Sequence, residues 1–129
     1  MRKLLPILLS ALMFTGCAGT SNNQTNTYRQ ISMEEAVAMM AEETGYIILD
    51  VRRADEFAEG HIPGAINVAN ESIGTDEIPE LPDKNQLIMV YCRSGRRSKE
   101  ASEKLVKLGY TNIVEFGGIL DWKGEITTD

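Results

Sequence analysis

Apolar residues along this chain follow two patterns. YIILDV (46–51) and LIMVYC (87–92) are apolar almost without a break and contain β-branched side chains. A strand open to water on one side alternates apolar and polar, so runs like these predict strands covered on both faces. TNIVEF (111–116) predicts a last strand and YRQI (28–31) a short first one. HIPGAINV (61–68) turns through Pro63 and Gly64 into another.

The second pattern has helical spacing. SMEEAVAMMAEE (32–43) opens with a capping box, Ser32 to Glu35, and repeats Met33, Ala36, Val37 and Met40 on one face before stopping near Gly45. Those methionines read as core, not as a metal or cofactor box. ADEFAEG (54–60) suits a short helical turn. SKEASEKLVKLGY (98–110) sets Ala101, Leu105 and Leu108 on one face with Gly109 near the end. GGILDWKG (117–124) predicts a turn and a short helix, and Pro79 and Pro82 leave 70–86 irregular. Buried strands alternating with helices predict an α/β fold with an open parallel sheet. In such sheets ligands sit beyond the carboxyl ends of the strands. Cys92 ends one of these strands, a few residues before a helix.

Length and charge narrow the function. The chain has 129 residues, enough for one domain, and a formal charge of −6. That acidity, with no RNA- or DNA-binding motif, argues against nucleic acid as a partner. It also makes the basic cluster in YCRSGRRS (91–98) conspicuous. A strand that ends in a short glycine-containing loop and enters a helix aims backbone N–H groups at one point. Gly95 suits the left-handed turn and Ser98 the helix cap. With Arg93, Arg96 and Arg97 beside it, a thiol at position 92 is expected to ionise below the usual range of a free cysteine. The plainer reading is a small buried hydrophobe at a strand end with solvated arginines around it.

The other cysteine belongs to a different setting. MRKLLPILLSALMFTGC (1–17) starts with Arg2 and Lys3, runs apolar to Phe14 and reaches Cys17 through small residues. The run is shorter than the roughly 20 residues of a membrane-spanning helix and suits a secretory signal. FTGC resembles the bacterial lipobox, with Phe14 where leucine is usual. The resemblance implies cleavage after residue 16, a lipidated Cys17 and a cell-envelope protein tethered to a membrane. An ordinary cleaved signal peptide is the alternative. AGTSNNQTNT (18–27) is polar and reads as a tether, which leaves 28–129 as the domain. Cys92 then has no disulfide partner in its own chain.

LDVRRADEFAEGHIPGAINV and YCRSGRRS, followed by GG and a tryptophan, resemble a single-domain rhodanese-type sulfurtransferase over residues 28 to 124. The resemblance implies a five-stranded parallel sheet flanked by helices. It implies that Cys92 takes a sulfane sulfur from a small anion such as thiosulfate, holds it as a persulfide and passes it to cyanide or a thiol. Arg93, Ser94, Gly95, Arg96, Arg97 and Ser98 fall in the family's active-site loop, whose amides hold the terminal sulfur. The sequence does not say which arginine faces inward. Asp50 and Arg52 match the family's D-V-R motif, where bracing the loop is favoured over touching substrate. No metal or organic cofactor is implied, and a monomer is expected. His61, the chain's one histidine, reads as a packing or hydrogen-bonding residue, and Gly117, Gly118 and Trp122 as turn and core.

Three alternatives remain open on the sequence. A phosphatase loop would carry its arginine at position 98, where serine stands, one residue beyond Arg97. A binding module of the same family often lacks the cysteine. A dithiol redox protein would have a C-x-x-C pair or a resolving cysteine, and neither is here.

Overall fold

The computed structural model describes residues 27–129. The expected signal peptide, Cys17 and nearly all of the polar tether lie outside the described residues. The chain runs β1 (Arg29–Gln30), α1 (Met33–Glu42), β2 (Ile47–Asp50), α2 (Ala54–Glu59), β3 (Ile66–Asn67), a 3-10 turn (Asn70–Ser72), β4 (Ile88–Cys92), α3 (Arg96–Lys107), β5 (Ile113–Gly118) and a 3-10 turn (Ile119–Asp121). The five strands form one sheet in the order β1-β5-β4-β2-β3, and every pairing is parallel. The α/β class and the five-stranded parallel sheet expected from the sequence are therefore observed.

Burial explains why the strands read as unbroken apolar runs. All five residues of β4 are buried. Side chains alternate across the sheet, so Val90 and Cys92 join Leu49, Ala101, Leu105 and Ile113 under α3. Met89 and Tyr91 join Ala36, Ile48, Ile62 and Phe116 under α1 and α2. The two faces make two core layers, with β4 at the centre between β5 and β2.

Two helices depart from the sequence reading. The capping box of α1 is present, with Ser32 Oγ accepting from Glu35 N–H at 3.0 Å and Glu35 accepting from Ser32 N–H at 2.9 Å. Of its expected apolar face only Ala36 is buried, and Val37 is 49% exposed. Met39 packs against the core instead, beside Met33 and Met40. Ser98 is not the cap of α3. Gly95 takes that place at φ 115°, and the helix starts at Arg96. A left-handed glycine turns the chain from strand to helix in fewer residues than a serine cap would, which pulls Ser98 down into the first turn.

Candidate active site

Cys92 ends β4, and residues 93–95 wrap over it before α3 begins. Gly95 N–H donates to Cys92 Sγ at 3.0 Å, and Ser98 Oγ lies 3.5 Å from the same sulfur. The residue is 1% exposed. Burial pushes the thiol up, but the Ser98 hydroxyl and the amides of Ser98, Gly95 and Ser94 outweigh it, and the net shift is downward. The aliphatic core thus backs the sulfur, and amides of the loop face it from the other side. Hydrogen-bond donors, more than the arginines, are what favour the thiolate.

The arginines divide the work. Arg97 makes a two-pronged ion pair with Glu56 of α2, at 2.7 and 3.1 Å. That pair draws Glu56 down from its ordinary 4.5 to about 2. Arg97 therefore ties the start of α3 to α2. Arg96 is exposed and pairs with Glu100 at 3.1 Å, one turn along the helix. Arg93 forms no ion pair among the described residues. Arg53, Glu71, Arg93, Ser94, Arg96 and Arg97 line a cavity of about 360 Å³ beside the loop. Arg53, Arg96 and Arg97 are each paired with a carboxylate, which leaves Arg93 as the lining guanidinium without an ion pair among the described residues.

Asp50 and Arg52 brace this end of the sheet from below. Arg52 donates to Asp50 from Nε at 3.0 Å and from Nη2 at 2.7 Å, and Nη2 also reaches the Gly60 carbonyl at 2.7 Å. The side chains are 0% and 7% exposed, respectively. Asn67 Nδ2 donates to the carbonyls of Asp50 and Arg52, both at 2.9 Å. Tyr91, the residue before Cys92, accepts from Ile62 N–H at 3.1 Å. Burial, followed by its hydrogen bond to Asp50, pushes its phenol well up. Neither Asp50 nor Arg52 lines that cavity; their side chains bond to each other and to the backbone at Arg52 and Gly60. His61 is buried, stacked on Phe57 at 3.7 Å between ring centroids, with Nδ1 2.8 Å from the Phe57 carbonyl. It packs, as expected.

Two contributors were not legible as site residues. Glu115 of β5 points under the loop, where its Oε2 lies 2.5 Å from Ser98 Oγ and accepts from Gly117 N–H at 2.9 Å. Gly118, read from the sequence as a turn, is a close-packing position: a Cβ there would stand 2.0 Å from the Arg93 carbonyl oxygen. The β4–β5 register slips by one residue here, Val90 facing Glu115 but Cys92 facing Gly118. Gly117, at φ 99°, absorbs the extra residue. The two-glycine pair beside the loop was the available signal. Nothing in the spacing marked Glu115.

Comparison with known proteins agrees with this geometry. The family model for the rhodanese-like domain matches residues 32–125. The chain is 37% identical over 73 residues to thiosulfate sulfurtransferase PspE of Escherichia coli, a match covering 57% of this chain and 70% of that one. It is 32% identical over 97 residues to thiosulfate sulfurtransferase GlpE of Pseudomonas entomophila, covering 74% and 85%. A solved structure described as a rhodanese with anions from E. coli superposes with a TM-score of 0.59 at 32% identity, covering 65% of this chain and 99% of that one. The fold and its cysteine loop define a rhodanese-type protein. This chain belongs to the rhodanese-like domain family, and sulfurtransferases are among its relatives.

Among the described residues no group of His, Cys, Asp and Glu is arranged to hold a metal ion, and no helix is long and apolar enough to cross a membrane.

Proposed function

We propose that this protein is a sulfurtransferase that carries sulfane sulfur as a persulfide on Cys92. The supporting observation is the sulfur at the carboxyl end of β4 facing the Gly95 N–H at 3.0 Å, with its thiol shifted downward. The thiolate attacks the outer sulfur of a donor such as thiosulfate. A new S–S bond forms at Cys92, the donor's S–S bond breaks, and sulfite leaves with the electron pair. The loop amides then hold the negative terminal sulfur. Cyanide or a thiol attacks that sulfur and frees the Cys92 thiolate. Arg93 is the cation we assign to the donor, because Arg97 is engaged by Glu56 and Arg96 by Glu100. At 1% exposure Cys92 lies beneath its loop, so the 93–95 segment has to widen to admit the donor. Cyanide is an assay acceptor; a small thiol or a partner's cysteine suits the same chemistry. In the cell we place the domain as a monomer at the envelope, tethered through a lipidated Cys17.

Incubating the protein with thiosulfate and weighing it is the direct test. One added sulfur on Cys92, thiocyanate on addition of cyanide, and neither in Cys92→Ser is the expected result. Phosphate release from an aryl phosphate without thiocyanate would replace this reading with a phosphatase. Neither activity, with a thiol titrating like free cysteine, would replace it with a binding module.

A further inference from the structure

Ser98 has one hydroxyl proton and four possible takers. Its Oγ lies 2.5 Å from Glu115 Oε2, 2.9 Å from the Gly95 carbonyl, 3.4 Å from the Gly117 carbonyl and 3.5 Å from Cys92 Sγ. A charged acceptor makes the shorter and stronger bond. An ionised Glu115 therefore holds the Ser98 proton and leaves the sulfur only a lone pair, to which a thiol can donate. A thiolate at Cys92 reverses the demand. When Ser98 donates to sulfur, Glu115 keeps its bond to the hydroxyl only by becoming the donor, with a proton of its own.

Glu115 is built for such a task. It is 2% exposed, yet it joins no ion pair among the described residues. Its side-chain partners are a hydroxyl and one amide. A buried carboxylate is ordinarily matched by a cation. The groups around it are few. α3 presents Ser98. β4 presents Val90 across the register and Cys92 just beyond the slip. Tyr28, ahead of β1, has its phenol pushed up by burial, then by Glu103 of α3 and by Glu115. The cations beside the loop are on the first turns of α3: Arg97, held by Glu56, and Lys99, whose Nζ would stand 3.4 Å from a Cβ placed on Gly95.

We propose that Ser98 and Glu115 form a proton relay for Cys92. The S–H bond breaks as its proton passes to Ser98 Oγ, and the Ser98 proton passes to Glu115 Oε2. Thiol, hydroxyl and carboxylate become thiolate, hydroxyl and carboxylic acid, with one negative charge before and after and no water consumed. The buried sulfur thus becomes a nucleophile without exchanging a proton with solvent. When the acceptor has removed the sulfane sulfur, the same path returns the proton. Ser98 touches the reacting sulfur; Glu115 is a positioning residue that acts through it.

The relay rests on Cys92 being the reacting sulfur, but it can be read with no sulfur donor present, so failure of transfer and failure of the relay are separate results. Thiolate absorbance of the full chain is followed against pH, and the Cys92→Ser curve is subtracted to remove Cys17 and the tyrosines. Two groups sharing a proton titrate as a pair, so the thiolate should appear in two steps about one pH unit or more apart. Glu115→Gln, which cannot take up a proton, should leave one step. Ser98→Ala should also leave one step, moved about one unit higher by loss of the hydroxyl donor, whereas Ser98→Thr should keep two. A single step in the parent protein, or two steps unchanged in Glu115→Gln, would overturn the relay. If Glu115→Gln does not fold, identical curves for Ser98→Ala and Ser98→Thr would overturn it instead.

Discussion

Two carboxylates are buried on the two strands that flank β4, and they are treated in opposite ways. Asp50 of β2 receives a guanidinium through two nitrogens and a backbone amide besides. Glu115 of β5 receives one hydroxyl and one amide, with no cation paired to it among the described residues. Both are almost fully buried. A neutralised pair is rigid and chemically quiet, which suits a brace beneath the loop. Glu115 has no such counter-charge among the described residues, and it lies a single hydroxyl away from the sulfur, where the proposed relay needs it. The contrast separates the side of the site that holds shape from the side that moves charge.

Breaking the Asp50 side should have the largest effect. Arg52→Met keeps the volume but leaves Asp50 buried and unpaired, and should cost about 3–5 kcal/mol in urea denaturation. A cost below about 1 kcal/mol would mean that Asp50 is not held by that pair. Next comes the wall between the two sides. Gly118→Ala drives a methyl group to within 2.0 Å of the Arg93 carbonyl. It should destabilise by about 1–3 kcal/mol and, by displacing the loop, lower the rate of thiocyanate formation about a hundredfold.

A smaller effect is expected at the link between α2 and α3. Glu56 is held at about 2, below its ordinary 4.5, chiefly by Arg97. Its folded-state value is depressed, so the stability it adds is fully present above its ordinary value and is lost as pH falls from about 4.5 towards 2. Urea midpoints measured across that window should fall in the parent protein, and Glu56→Gln should flatten this part of the curve. The pair is partly open to solvent, with 19% and 15% of the two side chains exposed, so the loss is set at about 1–2 kcal/mol. Glu115→Gln should move stability least, by about 1 kcal/mol or less at neutral pH, because the amide can keep both hydrogen bonds. A loss as large as that of Arg52→Met would erase the contrast between the two carboxylates.

Much of this was legible in the residues. Strands buried on both faces appear as YIILDV and LIMVYC because parallel strands under helices have no polar side, and β2 and β4 fall within those runs. Ser32 and Glu35 announced α1 because a capping box is local chemistry, complete within four residues. Cys92 stood out through its loop, and Gly95 took the left-handed turn expected of it. The failures share one cause. Val37 and Met39 exchanged roles because helical spacing defines a face but not where its edge meets the sheet. Ser98 was placed as a cap because the helix start depended on how sharply Gly95 turned. Arg97 could not be told from Arg93 and Arg96 until α2 brought Glu56 across a separation of 41 residues.

The sequence by itself determined the parallel α/β layout, the cysteine at a strand's carboxyl end and the loop of amides above it, because each is written in short-range patterns of burial, turn and cap. Only the tertiary structure decided which arginine is spoken for, why Gly118 has no side chain, and that Glu115 reaches Ser98 beneath the sulfur. Those facts depend on a one-residue slip between β4 and β5 and on contacts between elements far apart in the chain, where spacing along the sequence carries no record of distance in space.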